Sequence, residues 1–440
     1  MYQLKAGFAR IDITPPIGYD MSGYFIERLS NGIRDPLLAT AVAVSDGETT
    51  GILISVDVIG LCQDVCNVIR EQIAAKCGVT REMVFIACTH THLALPGTKL
   101  SDPHYEEILL PVIRKIVGLA QMAIEDMKPA EMRVNKGETP VDISFVRRRK
   151  KKDGELAHNA DEKRNAEADG EPDKRVALTY FIRENAPEIA IINFQVHPDV
   201  VGGLKLSADY PGFVRRTYEA AVENSLCMYI NGCQGDTNHI NVRTPDGELK
   251  GGYEFARHMG HTIAGTAMAL RAMAQKVPGV PVRGVQKNIG AVVNKAGERE
   301  VQEARRLVQL YNQGHYEELT TEEGNFDIMK LAVALRIAEA ADRADMEELY
   351  VTGLSFGEFA IVGFPGEPFT DIGREVKNAS QFRMTYAACC ANGYEGYFPN
   401  ERCYRDGGYE VLTARFRECT AGKLISAGID VLKTLRGEEN

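Results

Sequence analysis

The chain has 440 residues, 44% of them apolar and 25% charged, with a formal net charge of −10. That length suits one large domain or two intimate ones. The composition is that of an ordinary globular protein, and the acidic balance disfavours nucleic acid or an anionic membrane surface as main partner. The opening MYQLKAGFARIDITPP carries charge early and has no apolar run suited to a secretory signal. No stretch has the apolar length of a membrane span, so no membrane anchor is expected. The ten cysteines are irregularly spaced and are read as mostly reduced core thiols of a cytoplasmic protein.

Taken in chain order, runs rich in Val, Ile and Phe at 40–44 and 51–58 predict strands, and a helical pattern follows at 65–76. The run at 84–88 is a strand leading directly into Thr89-His90-Thr91-His92. In extended backbone, residues two apart project to one face, so both imidazoles are expected to point into one space. Imidazole is the commonest protein ligand for zinc, and two converging rings make half a site. A helix at 105–127 follows, then a charge-dense stretch at 147–175 with almost nothing to bury. This is expected to be a mobile excursion, either a solvated loop or a flap.

The strand at 189–196 ends at His197-Pro198, with a helix at 210–223, a strand at 227–230 and a helix at 253–274 beyond it. Residues 298–349 are charged and helical in period, broken near 320–326, and read as a helical pair serving as an insertion or a dimer surface. The strand at 359–364 runs into Pro365-Gly366-Glu367, and a last strand is expected at 384–388. Alternation of this kind predicts an α/β fold, a mixed and partly parallel β-sheet flanked by helices, over one domain spanning 1–440. Such sheets hold ligands beyond the carboxyl ends of their strands. His90, His197 and Glu367 all fall there, and two nitrogens and an oxygen suit a zinc ion with an open position.

The same residues carry a family resemblance. Gly7-Phe-Ala-Arg-Ile-Asp12-Ile-Thr14, Met21-Ser-Gly-Tyr24, Thr89-His-Thr-His92, Asn193-Phe-Gln-Val-His197-Pro198, Ser207-Ala-Asp209-Tyr-Pro-Gly212, Gly235-Asp236 and Pro365-Gly-Glu367 resemble, in order, motifs of the neutral/alkaline non-lysosomal ceramidase catalytic domain. The resemblance implies that His90, His197 and Glu367 bind zinc. It aligns Tyr397, in Asn392-Gly-Tyr394-Glu-Gly-Tyr397, with a tyrosine ligand, and a tyrosine that only hydrogen-bonds at the site is the rival reading. Tyr409 takes the place of a second family tyrosine, and His92 that of a histidine beside the reacting centre. Arg147 matches an arginine near the substrate carbonyl, with a register uncertain by one because Arg148 and Arg149 adjoin it.

The chemistry so implied is amide or ester hydrolysis by zinc-activated water. His92, Tyr409 or Arg147 would steady the oxyanion, with His92 as proton shuttle. Asp57 and Asp209 are read either as partners orienting the imidazoles or as caps. The sequence departs from the family at Gly235-Asp236-Thr237-Asn238-His239, where Asn238 replaces a serine and His239 a proline. A serine nucleophile is therefore not expected, and Asn238 is left as a hydrogen-bond donor to substrate. Thr-His-Thr-His runs on into Leu93-Ala-Leu-Pro96 instead of the usual Ser-Gly-Pro, and no β-sandwich tail follows Tyr409. A small soluble N-acyl compound is thus expected as substrate in preference to ceramide. Two alternatives stay open: zinc-assisted lyase or isomerase chemistry on a sugar-like substrate, and a metal- or ligand-binding relative without turnover.

Overall fold

A computed structural model of the chain describes residues 3–95, 99–101, 104–245, 248–321 and 324–438. Its β-structure is dominated by two sheets, where one was expected. The first has nine strands, with Ser225–Asn231, Glu188–Phe194, Arg175–Arg183, Lys128–Glu138, Lys5–Asp12, Leu38–Ser45, Thr50–Val56 and Val84–Cys88 in order along its path, and Gln275–Val277 paired on Lys128–Glu138. The pairs at the two ends of this path are parallel, and the pairs between them are antiparallel. The second sheet runs Val282–Val292, Met346–Phe356, Phe359–Gly363, Met384–Ala388, with the last pair parallel. Each parallel pair is bridged by a helix, Gln63–Cys77, Asp209–Ala221 or Thr370–Ala379, as parallel strands require a crossover.

The sheets pack face to face. Leu53, Phe85, Met228 and Ile230 of the first share one apolar cluster with Leu354, Phe356, Phe359 and Ile361 of the second. Helices Gln63–Cys77 and Leu110–Glu125 cover half of the first sheet's outer face, and Asp209–Ala221 and Tyr253–Arg271 cover the other half. Thr370–Ala379 and Thr420–Arg436 cover the second sheet. The result is a helix–sheet–sheet–helix stack of α/β class. The first sheet also curls until its ends meet: Ser55 Oγ donates to the Tyr229 carbonyl at 2.6 Å and Asn231 Nδ2 to the Thr89 carbonyl at 3.2 Å. That curl carries the strand end before His90 towards the strand end before His197.

Two stretches differ from expectation. Residues 147–175 form short elements, with Arg149–Lys150 paired to Glu167–Ala168 and a helix at Ala160–Asn165 capped by Asn159. Their charges pair with one another and with the chain around 402–410. Buried Arg148 meets Asp169 at 3.5 Å and Glu410 at 3.3 Å, and Arg402 meets Asp169 at 2.5 Å. Ion pairing thus seats a segment that has little apolar surface to bury.

The stretch at 298–349 does contain two helices, Glu298–Asn312 and Ile328–Asp342, packed through Ala304, Leu307, Leu331 and Ala334. Its expected end overran into the strand Met346–Phe356, and the pair is inserted between two strands of the second sheet. Pro96 and residues 322–323, inside the expected break, lie outside the described residues. Among the described residues no helix is long and apolar enough to cross a membrane, and all ten cysteines are unbridged.

Candidate metal centre

Val84–Cys88 ends before the histidines, and the backbone that carries them is not extended. His90 adopts φ +70°, a left-handed conformation that costs free energy and persists where its surroundings over-determine it. Here its N–H is held by the Val58 carbonyl at 2.9 Å, and that of Thr89 by the Val56 carbonyl at 2.9 Å. His90 and His92 therefore converge through a kink and not through strand alternation.

His197 follows the strand Glu188–Phe194, and Glu367 follows Phe359–Gly363 of the other sheet. The Nε2 atoms of His90 and His197 lie 3.2 Å apart and those of His92 and His197 3.1 Å apart. Glu367 Oε2 is 3.2 Å from His90 Nε2 and 3.7 Å from His197 Nε2. Bonds of about 2.0–2.1 Å to a tetrahedral zinc ion place donor atoms about 3.3 Å apart, close to the spacing found.

Two further observations fit a cation. Glu367 is 2% exposed, and its buried Oε2 has no hydrogen-bond partner among the described residues. His90 Nδ1 lies 2.7 Å from the Ile59 carbonyl, which fixes the proton on Nδ1 and leaves Nε2 with its lone pair facing the cluster. Burial holds the His92 imidazolium down to about 4 and His197 well below its ordinary range, so both rings are neutral near pH 7. Burial also works to raise Glu367. The charge that His90 carries when protonated, a hydrogen bond from Tyr394 and the charge of Arg147 outweigh it and bring the carboxyl down to about 2, and a bound cation would take the place of that His90 proton. Neutral imidazoles and an ionised carboxylate are the forms that ligate metals.

The other expected residues fall into three groups. His92, expected beside the reacting centre, puts Nε2 inside the cluster, with Nδ1 3.9 Å from Asp199 Oδ1. Arg147, Tyr397 and Tyr409 form one wall of the adjoining pocket. Arg147 donates to Glu410 at 2.7 Å and to the Gly235 carbonyl at 2.8 Å, and its guanidinium sits 5.3 Å from the Tyr397 ring centroid and 5.7 Å from that of Tyr409. Of the three adjoining arginines it is Arg147 that lines this pocket, while Arg148 and Arg149 turn away, to Gly407 and Ala166. Tyr397 interacts with Arg147, whereas it is Tyr394 whose hydroxyl donates to Glu367 Oε1 at 2.8 Å. Asn238 lies in a two-residue pairing with Phe145, and its side-chain oxygen accepts the Ile240 N–H at 3.0 Å.

Asp57 and Asp209 hold the segments that carry His90 and His197 and do not touch the rings. Asp57 accepts both Arg215 nitrogens, the Leu38 N–H and the Thr89 hydroxyl. Asp209 accepts the N–H groups of Val200 and Val201, just beyond His197.

Sequence reasoning missed Asp199, which accepts the Tyr24 hydroxyl at 2.9 Å and follows His197-Pro198 directly. It also missed why Gly23 stands in Met21-Ser-Gly-Tyr24. A Cβ there would meet His92 Nδ1 at 2.5 Å, and φ is +104°. The cavity above the cluster, about 370 Å³, is lined by the 20–25 loop, His90, His92, Glu367, Tyr394, Tyr397 and Tyr409, and by one face of helix Ile328–Asp342.

Fold and site together define an α/β sandwich with a buried three-histidine, one-glutamate cluster beyond its strand ends. No protein-family model and no curated protein matches the sequence. Solved structures do match. The neutral ceramidase from Pseudomonas aeruginosa aligns with a TM-score of 0.73 at 17% identity, over 99% of this chain and 75% of that one. A ceramidase complexed with C2 gives 0.72 at 17%, over 99% and 76%. The chain has the neutral-ceramidase fold, as its ordered motifs led us to expect.

Proposed function

We propose that the protein is a metal-dependent hydrolase of amide bonds, with zinc as the ion. The observation that carries this reading is the meeting of three imidazole Nε2 atoms with an unpartnered, ionised Glu367 oxygen at the floor of a cavity. The fold shared with the ceramidases supports it. His90, His92, His197 and Glu367 would hold the ion, which when bound supplies Lewis acidity towards water and a substrate carbonyl.

The chain's own groups do the rest. Burial foremost raises the Tyr409 phenol to about 12, so it stays protonated and can donate to a developing oxyanion. Arg147, fixed by Glu410, places a permanent cation on the same wall. With His92 turned into the cluster, the proton shuttle falls to Asp199. Its carboxylate lines the pocket, held by Tyr24, and would take a proton from water and pass it to the leaving nitrogen. Water's oxygen joins the carbonyl carbon, the C–N bond breaks, and an acid and an amine result.

The test is a panel of soluble N-acyl amines assayed with the zinc-loaded protein, with chelator-treated protein and with His92→Ala. Turnover abolished by chelation and restored by zinc is expected, with His92→Ala losing metal. Turnover indifferent to chelator would overturn the mechanism. A His92→Ala protein that keeps its zinc but loses rate would return His92 to the shuttle role.

A further inference from the structure

Helix Ile328–Asp342 presents Ala332, Leu335, Arg336 and Glu339 to the cavity, positions spaced i, i+3, i+4, i+7 that form one helical face. The lower half of that face is charged. Glu339 is matched by Lys99 at 3.0 Å and Arg415 at 3.3 Å, and Arg415 is shared with Glu395 at 3.1 Å. Arg336 is the cation left over. Its Nε and Nη1 donate to the carbonyls of Leu412 at 3.2 Å and Asn294 at 2.7 Å. Among the described residues, no carboxylate lies within ion-pair distance of it. Backbone carbonyls orient the guanidinium, Glu300 acts on it only from beyond ion-pair distance, and Nη2 remains for a ligand.

We propose that Arg336 is a specificity-determining residue that anchors a carboxylate carried by the substrate, so that the substrate class is anionic N-acyl compounds. This rests on the hydrolase reading above. Burial lowers the Arg336 pKa from its usual range, the penalty that an incoming anion would relieve. A singly charged oxyanion suits the place better than a phosphate, because Asp20 and Glu339 line the same cavity and oppose further negative charge. A neutral lipid would gain nothing from the charged half of this helical face, while the cavity, at about 370 Å³, is at the small end of ligand pockets.

The experiment uses zinc-loaded protein and matched substrates sharing one scissile amide. Each carboxylate is compared with its carboxamide and with an ammonium analogue, the charge being placed on the amine side in one set and on the acyl side in another. A charge-assisted hydrogen bond predicts that one carboxylate exceeds its carboxamide by about 10- to 100-fold in kcat/KM. That ratio should shrink as salt rises, fall towards unity in Arg336→Ala and recover in part in Arg336→Lys, with melting temperature reporting whether each variant folds. The salt series needs no variant.

Equal rates for all members, preference for the ammonium compound, or a carboxylate preference that survives in Arg336→Ala would overturn the proposal. If no member is hydrolysed, the hydrolase reading fails alone. Calorimetric binding of carboxylate against carboxamide, to wild type and Arg336→Ala, then decides the role of Arg336.

Discussion

Replacing Tyr394 by phenylalanine tests the layer of structure behind the histidine–glutamate cluster proposed to hold zinc. The change removes one oxygen and keeps the ring that packs beside His90, with centroids 5.9 Å apart, and over Gly60. The lost contact is the 2.8 Å hydrogen bond to Glu367 Oε1, made to an ionised carboxylate at 2% exposure. Hydrogen bonds to charged groups contribute about 1.5–3 kcal/mol, or roughly 10- to 150-fold in an equilibrium constant. Outer partners of metal ligands account for about 10- to 100-fold in affinity. Without the phenol, Glu367 Oε1 has no donor among the described residues, and the carboxylate is held less firmly where its other oxygen faces the histidines.

Competition against a chromophoric chelator near neutral pH should therefore show zinc bound about 10- to 100-fold more weakly by Tyr394→Phe. Tyr397→Phe, which removes a hydroxyl engaged with Arg147, should stay near wild type in affinity while losing rate. The reasoning is refuted if Tyr394→Phe holds zinc as tightly as wild type, or if Tyr397→Phe loses it. The second result would make Tyr397 the ligand that the family resemblance implies.

Breaking the buried Asp57–Arg215 pair, whose side chains are 0% and 4% exposed, by Arg215→Met leaves an uncompensated carboxylate and should cost about 3–5 kcal/mol. Urea unfolding measures this, and adding Asp57→Asn should recover much of the loss if the isolated charge is its cause. Asp209 is raised from 3.8 to about 7, chiefly by burial and against three backbone N–H donors. The folded state therefore binds its proton more tightly than the unfolded chain does. The stabilisation is complete below about pH 4 and disappears as pH climbs through about 7, with an upper bound of about 4 kcal/mol. Asp209→Asn should flatten that part of the stability–pH profile, and parallel profiles for the two proteins would contradict the assignment.

The parts of the fold legible in sequence were those buried on both sides. Val84–Cys88, Glu188–Phe194, Ser225–Asn231, Phe359–Gly363 and Met384–Ala388 sit between sheet and helices, so they read as unbroken apolar runs. Lys128–Glu138 and Val282–Val292 are half-exposed and antiparallel, with Lys, Arg, Glu and Asn along them, and were not recognised. The second sheet was consequently missed as a separate layer. For the same reason the candidate ligands were visible as the ends of visible strands, but the angle at which they meet was not. It depends on the left-handed turn at His90 and the curl of the first sheet, neither of which has a local signature. Tyr394 and Tyr397 illustrate the limit: spacing finds the segment, and only the backbone path from Gly366 past Gly396, whose carbonyl accepts the Glu367 N–H at 2.8 Å, decides which hydroxyl reaches the carboxylate.

The cluster draws three donors from one sheet and the fourth from the other, with residues 90 and 367 far apart in the chain. An ion held there would act as a clasp across the sandwich seam, closing a loop of more than half the polypeptide. By linkage, ligand present at about 1,000 times its dissociation constant adds about 4 kcal/mol to the folded state. Metal supply would then govern how long the protein lasts as well as whether it works, and starvation for the ion would expose the apolar faces that the two sheets now hide from each other.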